Sequence, residues 1–154
     1  MLKYVDTLIG FQEIPDEISL CINISNCPNH CKGCHSAYLL EDVGKPLTDE
    51  TLHDLIKQNT GISCVCLMGG DKDPQSINEL AKFIHTFNLK VGWYSGKNFL
   101  SKNIDLKNFD YVKIGQYKEE LGPLNNPNTN QKMFKINHQA DPIECENITY
   151  KFWK

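Results

Sequence analysis

Three cysteines in the first quarter of the chain stand in the spacing C-x-x-x-C-x-x-C. They are Cys27, Cys31 and Cys34, and Pro28 and Gly33 keep the intervening loop out of regular structure. Thiolates this close in sequence can converge on one metal centre without long-range help from the fold. Iron–sulfur clusters usually take about four cysteines, so three thiolates on a four-iron cluster would leave one iron open to another ligand. An iron with an open position is a reaction site.

A zinc site is the alternative interpretation of the same loop. Closed structural zinc sites take about four ligands, and either His30 or His35 is near enough in sequence to complete the set with the three cysteines. The spacing alone leaves both metals open, although the short spacing favours the cluster.

The residues around the cysteines narrow the choice between an iron–sulfur cluster and a zinc site. The segment C-P-x-H-C-K-G-C-H resembles that of the radical S-adenosylmethionine proteins that activate anaerobic (class III) ribonucleotide reductases. This resemblance implies a [4Fe–4S] cluster on Cys27, Cys31 and Cys34, with S-adenosylmethionine on the fourth iron. It implies reductive cleavage of S-adenosylmethionine to a 5′-deoxyadenosyl radical, which abstracts hydrogen from a glycine of the reductase. It also implies a flavodoxin- or ferredoxin-like electron donor.

Further segments match the same family less closely. Gly69, Gly70 and Asp71 follow an apolar segment, where radical enzymes carry a Gly-Gly-acid turn that binds the methionine amino group. These activases commonly carry a threonine in a turn near the cofactor. Ser95 stands at that position and keeps the hydroxyl group. By the same resemblance, Gly33 joins the expected cofactor-binding residues.

Two later positions depart from the family pattern. Ile114 stands where an acid is common, and Lys113 is a candidate substitute in cofactor binding. Asn130 and Gln131 resemble an Asn-Gln-Arg stretch of the activases, with lysine in place of arginine, and we expect them in a loop that faces the partner.

Composition sets limits on the class of protein. The chain has 154 residues, 40% hydrophobic and 23% charged, with a formal net charge of −3, which argues against general nucleic-acid binding. No apolar run approaches the length of a membrane span, and the start lacks a signal-peptide pattern, so we expect a cytoplasmic protein without membrane or nucleic-acid partners. Of the seven cysteines, four lie outside the motif and are expected to pack in the core: Cys21, Cys64, Cys66 and Cys145.

Apolar patterning predicts alternating strands and helices in one domain over residues 1–154. The predicted strands cover residues 18–25, 62–68, 90–96, 109–115 and 148–153, and the predicted helices begin near Thr48 and Pro74, with a weak one at residues 98–102. Such alternation indicates an α/β fold. With the resemblance, it predicts an open partial (β/α) barrel of the radical S-adenosylmethionine type, with five to six mainly parallel strands and helices outside.

Two other functions stay open on sequence grounds. One is a different radical enzyme, acting on another glycyl radical enzyme or on a small molecule. The other is a non-catalytic module whose cysteines bind zinc or relay electrons. Metal content and cleavage of S-adenosylmethionine would separate these functions.

Overall fold

The computed structural model describes residues 2–29 and 37–153. Its regular elements are the strands β1 (Lys3–Gly10), β2 (Ser19–Ile24), β3 (Lys45–Pro46), β4 (Cys64–Met68), β5 (Lys90–Tyr94), β6 (Tyr111–Ile114), β7 (Lys132–Asn137) and β8 (Glu144–Asn147), and the helices α1 (Asp49–Gln58) and α2 (Pro74–His85). Three short 3-10 segments cover Ala37–Leu40, Leu106–Asn108 and Thr149–Phe152.

All eight strands form one mixed sheet in the order β3-β1-β2-β4-β5-β6-β7-β8. The central strands β2, β4, β5 and β6 are parallel to one another. The outer pairings, β3 with β1, β1 with β2, β6 with β7 and β7 with β8, are antiparallel. The prediction of an open partial (β/α) barrel with helices outside is therefore wrong: the described chain has two α-helices on an eight-stranded mixed sheet.

The connections explain this difference. Adjacent parallel strands need a crossover of about a dozen or more residues, usually a helix. Helices α1 and α2 provide such crossovers, but residues 95–110 between β5 and β6 contain only a short 3-10 segment. Residues 115–131, rich in Asn, Pro and Gly, return the chain antiparallel from β6 to β7. Residues 138–143 form the short connection from β7 to β8, and a connection this short favours an antiparallel pair.

The two helices begin where the sequence predicts. Thr48 caps α1, because its Oγ1 accepts a 3.1 Å hydrogen bond from the Thr51 N–H. Asp73 caps α2 in the same way, because its Oδ1 accepts a 3.2 Å hydrogen bond from the Ser76 N–H. Pro74 occupies the first turn of α2, where no intrahelical donor is needed. Their apolar sides are buried against the sheet through Leu52, Ile56, Ile77, Leu80, Ala81 and Ile84.

The central strands are buried on both faces. Alternate residues such as Val65 and Leu67 face the helices, while Cys64 and Cys66 belong to a second apolar cluster on the other face. That second face is covered by irregular segments, which contribute Ile14, Leu124, Ile148 and Phe152. Burial on both faces is typical of parallel strands.

Two local predictions near the edges of the fold are wrong. Residues 98–102 are not helical, and the regular segment between β5 and β6 is Leu106–Asn108, capped by the Asp105 side chain. Residues 148–153 do not form a strand; the last strand of the described chain is β8, followed by a 3-10 segment. Neither described helix is long and apolar enough to cross a bilayer.

Candidate functional site

The carboxyl ends of the four parallel strands meet at one edge of the sheet. β2 leads into Ser25, Asn26 and Cys27, β4 into the Gly69-Gly70-Asp71 turn, β5 into Ser95, and β6 into Gly115. Ligands of α/β sheets bind at this edge, because the loops that follow parallel strands converge there. The segments singled out from the sequence are thus brought to the same side of the fold.

Cys27 opens the cysteine loop directly after β2. Its side chain is half-buried, and its N–H donates a 2.9 Å hydrogen bond to the Leu39 carbonyl. The preceding Asn26 N–H donates to the Glu41 carbonyl at 3.0 Å. Asn26 has a φ of +61°, a left-handed conformation that asparagine tolerates better than most residues. The predicted ligands Cys31 and Cys34, the neighbouring Gly33, and His30 and His35 lie outside the described residues.

Asp71 is the hub of polar contacts at this edge. Only 5% of it is exposed, and its carboxylate accepts hydrogen bonds from Ser95 Oγ at 2.5 Å, the Gly96 N–H at 2.8 Å and Asn29 Nδ2 at 2.7 Å. Buried carboxylates need such partners, because burial of an unsatisfied charge is costly. Two residues predicted from separate segments, Asp71 and Ser95, therefore touch one another.

Asn29 connects this carboxylate with the cysteine loop. The same Nδ2 that donates to Asp71 lies 3.5 Å from Cys27 Sγ. Sequence reasoning missed this residue, because an asparagine after a proline is usually a turn residue and its spacing to Asp71 carries no pattern. Its place inside the cysteine motif was the one available signal.

The Gly69-Gly70 turn brings the backbone close to β2. Gly69 has a φ of +117°, and a Cβ at this position would lie 2.9 Å from the Ile24 carbonyl oxygen. The Gly69 carbonyl accepts a 2.7 Å hydrogen bond from Trp93 Nε1, and its N–H donates to the Tyr94 carbonyl. The turn is therefore fixed to β5, and Asp71 is held in place by the backbone that precedes it.

Lys113 lies beneath this edge with 7% of its surface exposed. Its Nζ donates 3.0 Å hydrogen bonds to the carbonyl oxygens of Ser95 and Gly115 and lies 5.8 Å from the centroid of the Tyr94 ring. The ammonium thus ties together the turns that follow β5 and β6. Ile114, where the family pattern has an acid, packs against the main core cluster.

The residues expected to face a partner lie partly inside. Gln131 is only 7% exposed, and its Nε2 lies 3.4 Å from the Gly115 carbonyl oxygen. Asn130 Nδ2 donates to the Gln116 carbonyl at 3.0 Å, while its buried Oδ1 has no hydrogen-bond partner among the described residues. Their role towards a partner stays a prediction, but the Gln131 side chain supports the turn after β6 in this structure.

Next to the polar hub is an open cavity of about 360 Å³. The cysteine loop and the turn after β5 form its walls, together with one exposed aromatic residue, Phe99, which is 82% exposed. The lining residues are Pro28, Asn29, Gly96, Lys97, Asn98, Phe99 and Gln116.

Comparison with known families decides the class of the protein. Residues 18–123 match the model of the family described as 4Fe-4S single cluster domain, which spans more than half of the chain. The chain belongs to the 4Fe-4S single cluster domain family. No curated protein and no solved structure matches it significantly.

A 4Fe-4S single cluster domain needs thiolate ligands, and Cys27 is suitably placed for one. It lies at the ligand-binding edge of the sheet, is partly accessible, and has an amide N–H donor next to its sulfur. Among the described residues no three His, Cys, Asp or Glu side chains are assembled for a metal, and the other two cysteines of the motif, Cys31 and Cys34, lie outside those residues. The residues present fit the cluster.

The buried cysteines outside the motif are poor candidates for ligands. Burial raises the pKa of Cys64 to about 12 and raises the pKa of Cys66 well above its ordinary value, so both remain neutral thiols. Cys21 is buried beside them, as predicted for core cysteines. Cys145 differs from the prediction, since it is exposed on β8.

Proposed function

We propose that this protein is a radical S-adenosylmethionine enzyme that activates an anaerobic (class III) ribonucleoside-triphosphate reductase. The observation that carries the proposal is the contact chain from Cys27 through Asn29 to Asp71 and Ser95. A cluster that only relays electrons needs its ligands, but it has no need of a buried carboxylate fixed next to the cysteine loop. A cofactor with a cationic amino group does need such a carboxylate, because an opposite charge close by stabilises the cation.

In this proposal Cys27, Cys31 and Cys34 hold the cluster as thiolates. When bound, the cluster would supply the one electron that cleaves a carbon–sulfur bond of S-adenosylmethionine to methionine and a 5′-deoxyadenosyl radical, and that radical would take a hydrogen atom from a glycine of the reductase. A flavodoxin- or ferredoxin-like protein would deliver the electron.

Asp71 is the residue of this chain best suited to the amino group of S-adenosylmethionine. Its carboxylate is buried, and the three donors that surround it fix its orientation. Gly69 and Gly70 provide the backbone turn that presents it, and Ser95 holds Oδ1. The same site would bind a neutral or anionic small molecule poorly.

Lys113 has a supporting role in this proposal. Its ammonium donates to the carbonyl oxygens of Ser95 and Gly115, which keeps the turn after β5 next to that after β6. It therefore positions Ser95 and, through Ser95, Asp71. It also adds a positive charge near the site, which favours the carboxylate end of an amino-acid cofactor.

The open cavity beside Asn29 and Gly96 supports a macromolecular substrate. Its volume of about 360 Å³ is accessible from solvent, and the exposed Phe99 lies at its wall. A loop of the reductase could enter an open site of this kind, whereas small-molecule sites bury most of their ligand.

The test is anaerobic reconstitution of the full chain with iron and sulfide, followed by reduction, addition of S-adenosylmethionine and assay of 5′-deoxyadenosine. Half of the samples contain the anaerobic reductase of the same organism and are examined by electron paramagnetic resonance. We expect 5′-deoxyadenosine in all samples and a glycyl radical doublet where the reductase is present. A stable cluster without cleavage would replace the proposal with an electron-transfer function, and cleavage without the doublet would point to another substrate.

A further inference from the structure

We infer that Asn29 is a positioning residue that sets the reduction potential of the cluster by donating a hydrogen bond to Cys27 Sγ while Asp71 holds it in place. The inference rests on the part of the proposed function that makes Cys27 a cluster ligand. It does not depend on S-adenosylmethionine cleavage or on the partner.

The geometry gives one side-chain amide two acceptors. Asn29 Nδ2 lies 2.7 Å from Asp71 Oδ2 and 3.5 Å from Cys27 Sγ. An NH₂ group has two hydrogens, so it can serve the carboxylate and the sulfur together. The opposite amide orientation would place the Asn29 carbonyl oxygen against a carboxylate oxygen of Asp71, and two acceptor atoms form no hydrogen bond.

The surroundings of Asn29 restrict its side chain to this position. Asp71 Oδ2 also accepts the Gly96 N–H at 2.8 Å, and a Cβ on Gly96 would lie 2.6 Å from Asn29 Nδ2. Gly96 therefore leaves the space in which the Asn29 amide sits. The amide is held from one side by the carboxylate and reaches the sulfur on the other.

The position of the amide has a consequence for electron transfer. Each added electron increases the negative charge on a cluster and its thiolates, and an N–H donor stabilises the more negative state. A hydrogen bond to Cys27 Sγ therefore raises the reduction potential. Asp71 contributes indirectly, because it orients the donor.

The experiment measures the midpoint potential of the reconstituted cluster in the full chain by a redox titration followed by electron paramagnetic resonance. The variants are Asn29→Ala, which removes the donor, and Gly96→Ala, which displaces it without changing its chemistry. Asn59→Ala is the matched control, because it also removes a side-chain amide hydrogen bond, to the Leu55 carbonyl at the end of α1, far along the chain from the cysteine loop. Iron and sulfide content and thermal unfolding are recorded for each variant.

We expect both Asn29→Ala and Gly96→Ala to make one-electron reduction less favourable by about tenfold, which is about 59 mV lower in midpoint, and Asn59→Ala to leave the midpoint unchanged. Equal midpoints in the wild-type chain and the first two variants, at full cluster content, would overturn the inference. If the variants show these shifts and the wild-type chain holds the cluster but does not cleave S-adenosylmethionine, the inference is supported and the proposed enzyme activity is refuted. A wild-type chain that forms no four-iron cluster would overturn both.

Discussion

The Asp71 carboxylate accepts a 2.5 Å hydrogen bond from Ser95 Oγ, although the two residues lie 24 positions apart in the chain. They meet because β4 and β5 are adjacent and parallel, so the turns that follow the two strands lie side by side. Both residues are at least 95% buried. The contact therefore belongs to the interior of the fold as well as to the candidate site.

A double-mutant cycle on this pair measures the contact. Asp71→Ala leaves three donors without their acceptor and is expected to lower the free energy of unfolding by about 2–4 kcal/mol, and Ser95→Ala by about 1 kcal/mol. Since the two residues interact directly, the double variant should lose less than the sum, by about 1 kcal/mol or more. Urea unfolding of the four proteins checks this. Strict additivity would show that the contact contributes nothing to stability.

Loss of Cys27 should prevent cluster assembly. We expect Cys27→Ser to lower the iron and sulfide bound after anaerobic reconstitution to less than about a tenth of the wild-type amount, because a hydroxyl is a much poorer iron ligand than a thiolate. Cys145→Ser is the matched control, because Cys145 is exposed on β8 and belongs to a different part of the sheet. Equal metal content in the two variants would remove Cys27 from the ligand set.

A pair of glycine variants tests the close approach of the Gly69 turn to β2. Gly61 and Gly69 both have positive φ, +88° and +117°, but a Cβ on Gly61 meets no atom within 4 Å, while one on Gly69 meets the Ile24 carbonyl oxygen at 2.9 Å. Gly61→Ala should cost only the backbone strain, about 1–2 kcal/mol. Gly69→Ala should cost a further 1–3 kcal/mol or so, because the main chain must move. Similar unfolding free energies for the two variants would argue against this packing.

The ion pair of Glu17 predicts a stability change in acid. Burial by itself raises the pKa of Glu17, but hydrogen bonds from Lys90, Ser63 and Tyr111 outweigh it and leave the pKa below its ordinary value. A carboxyl with a lower pKa in the folded state stabilises the fold fully above its unfolded value of about 4.3 and loses that contribution as the pH falls through the folded value.

Glu17→Gln should therefore flatten the dependence of stability on pH between about pH 5 and pH 3. Urea unfolding across this range, for wild type and variant, gives the comparison. Glu144→Gln, at an exposed position on β8, controls for loss of one negative charge. A wild-type slope that Glu17→Gln leaves unchanged would mean that other carboxyls control acid unfolding.

The elements around the site were predictable because their signals are local. Thr48 and Pro74 mark the starts of helices through capping and backbone chemistry, and the apolar run before Gly69 marks a buried strand. The shared edge of Asp71 and Ser95 follows from the alternation of strands and helices. These inferences need only neighbouring residues and the rule that parallel strands end together.

The overall architecture was not predictable in the same way. The sequences of β1 and β3 carry no signal for antiparallel pairing. β8 has no buried side chain, so it has no hydrophobic alternation to detect. The predicted strand at residues 148–153 was wrong because Ile148 and Phe152 are apolar for another reason. They cover the second face of the sheet. Asn29 was missed because its two partners, Cys27 and Asp71, are brought together only by the fold.

The backbone hydrogen bonds that tie Asn26 to Glu41 and Cys27 to Leu39 have a consequence for metal loading. They close the cysteine loop at its base within the polypeptide itself, so the entropy of bringing the two ends of about a dozen residues together, roughly 2 kcal/mol, is spent in folding. Iron then meets a loop whose two ends are already joined by these hydrogen bonds. Substitutions near Leu39 or Glu41 that loosen this base would slow maturation of the cluster, although both residues lie outside the cysteine motif.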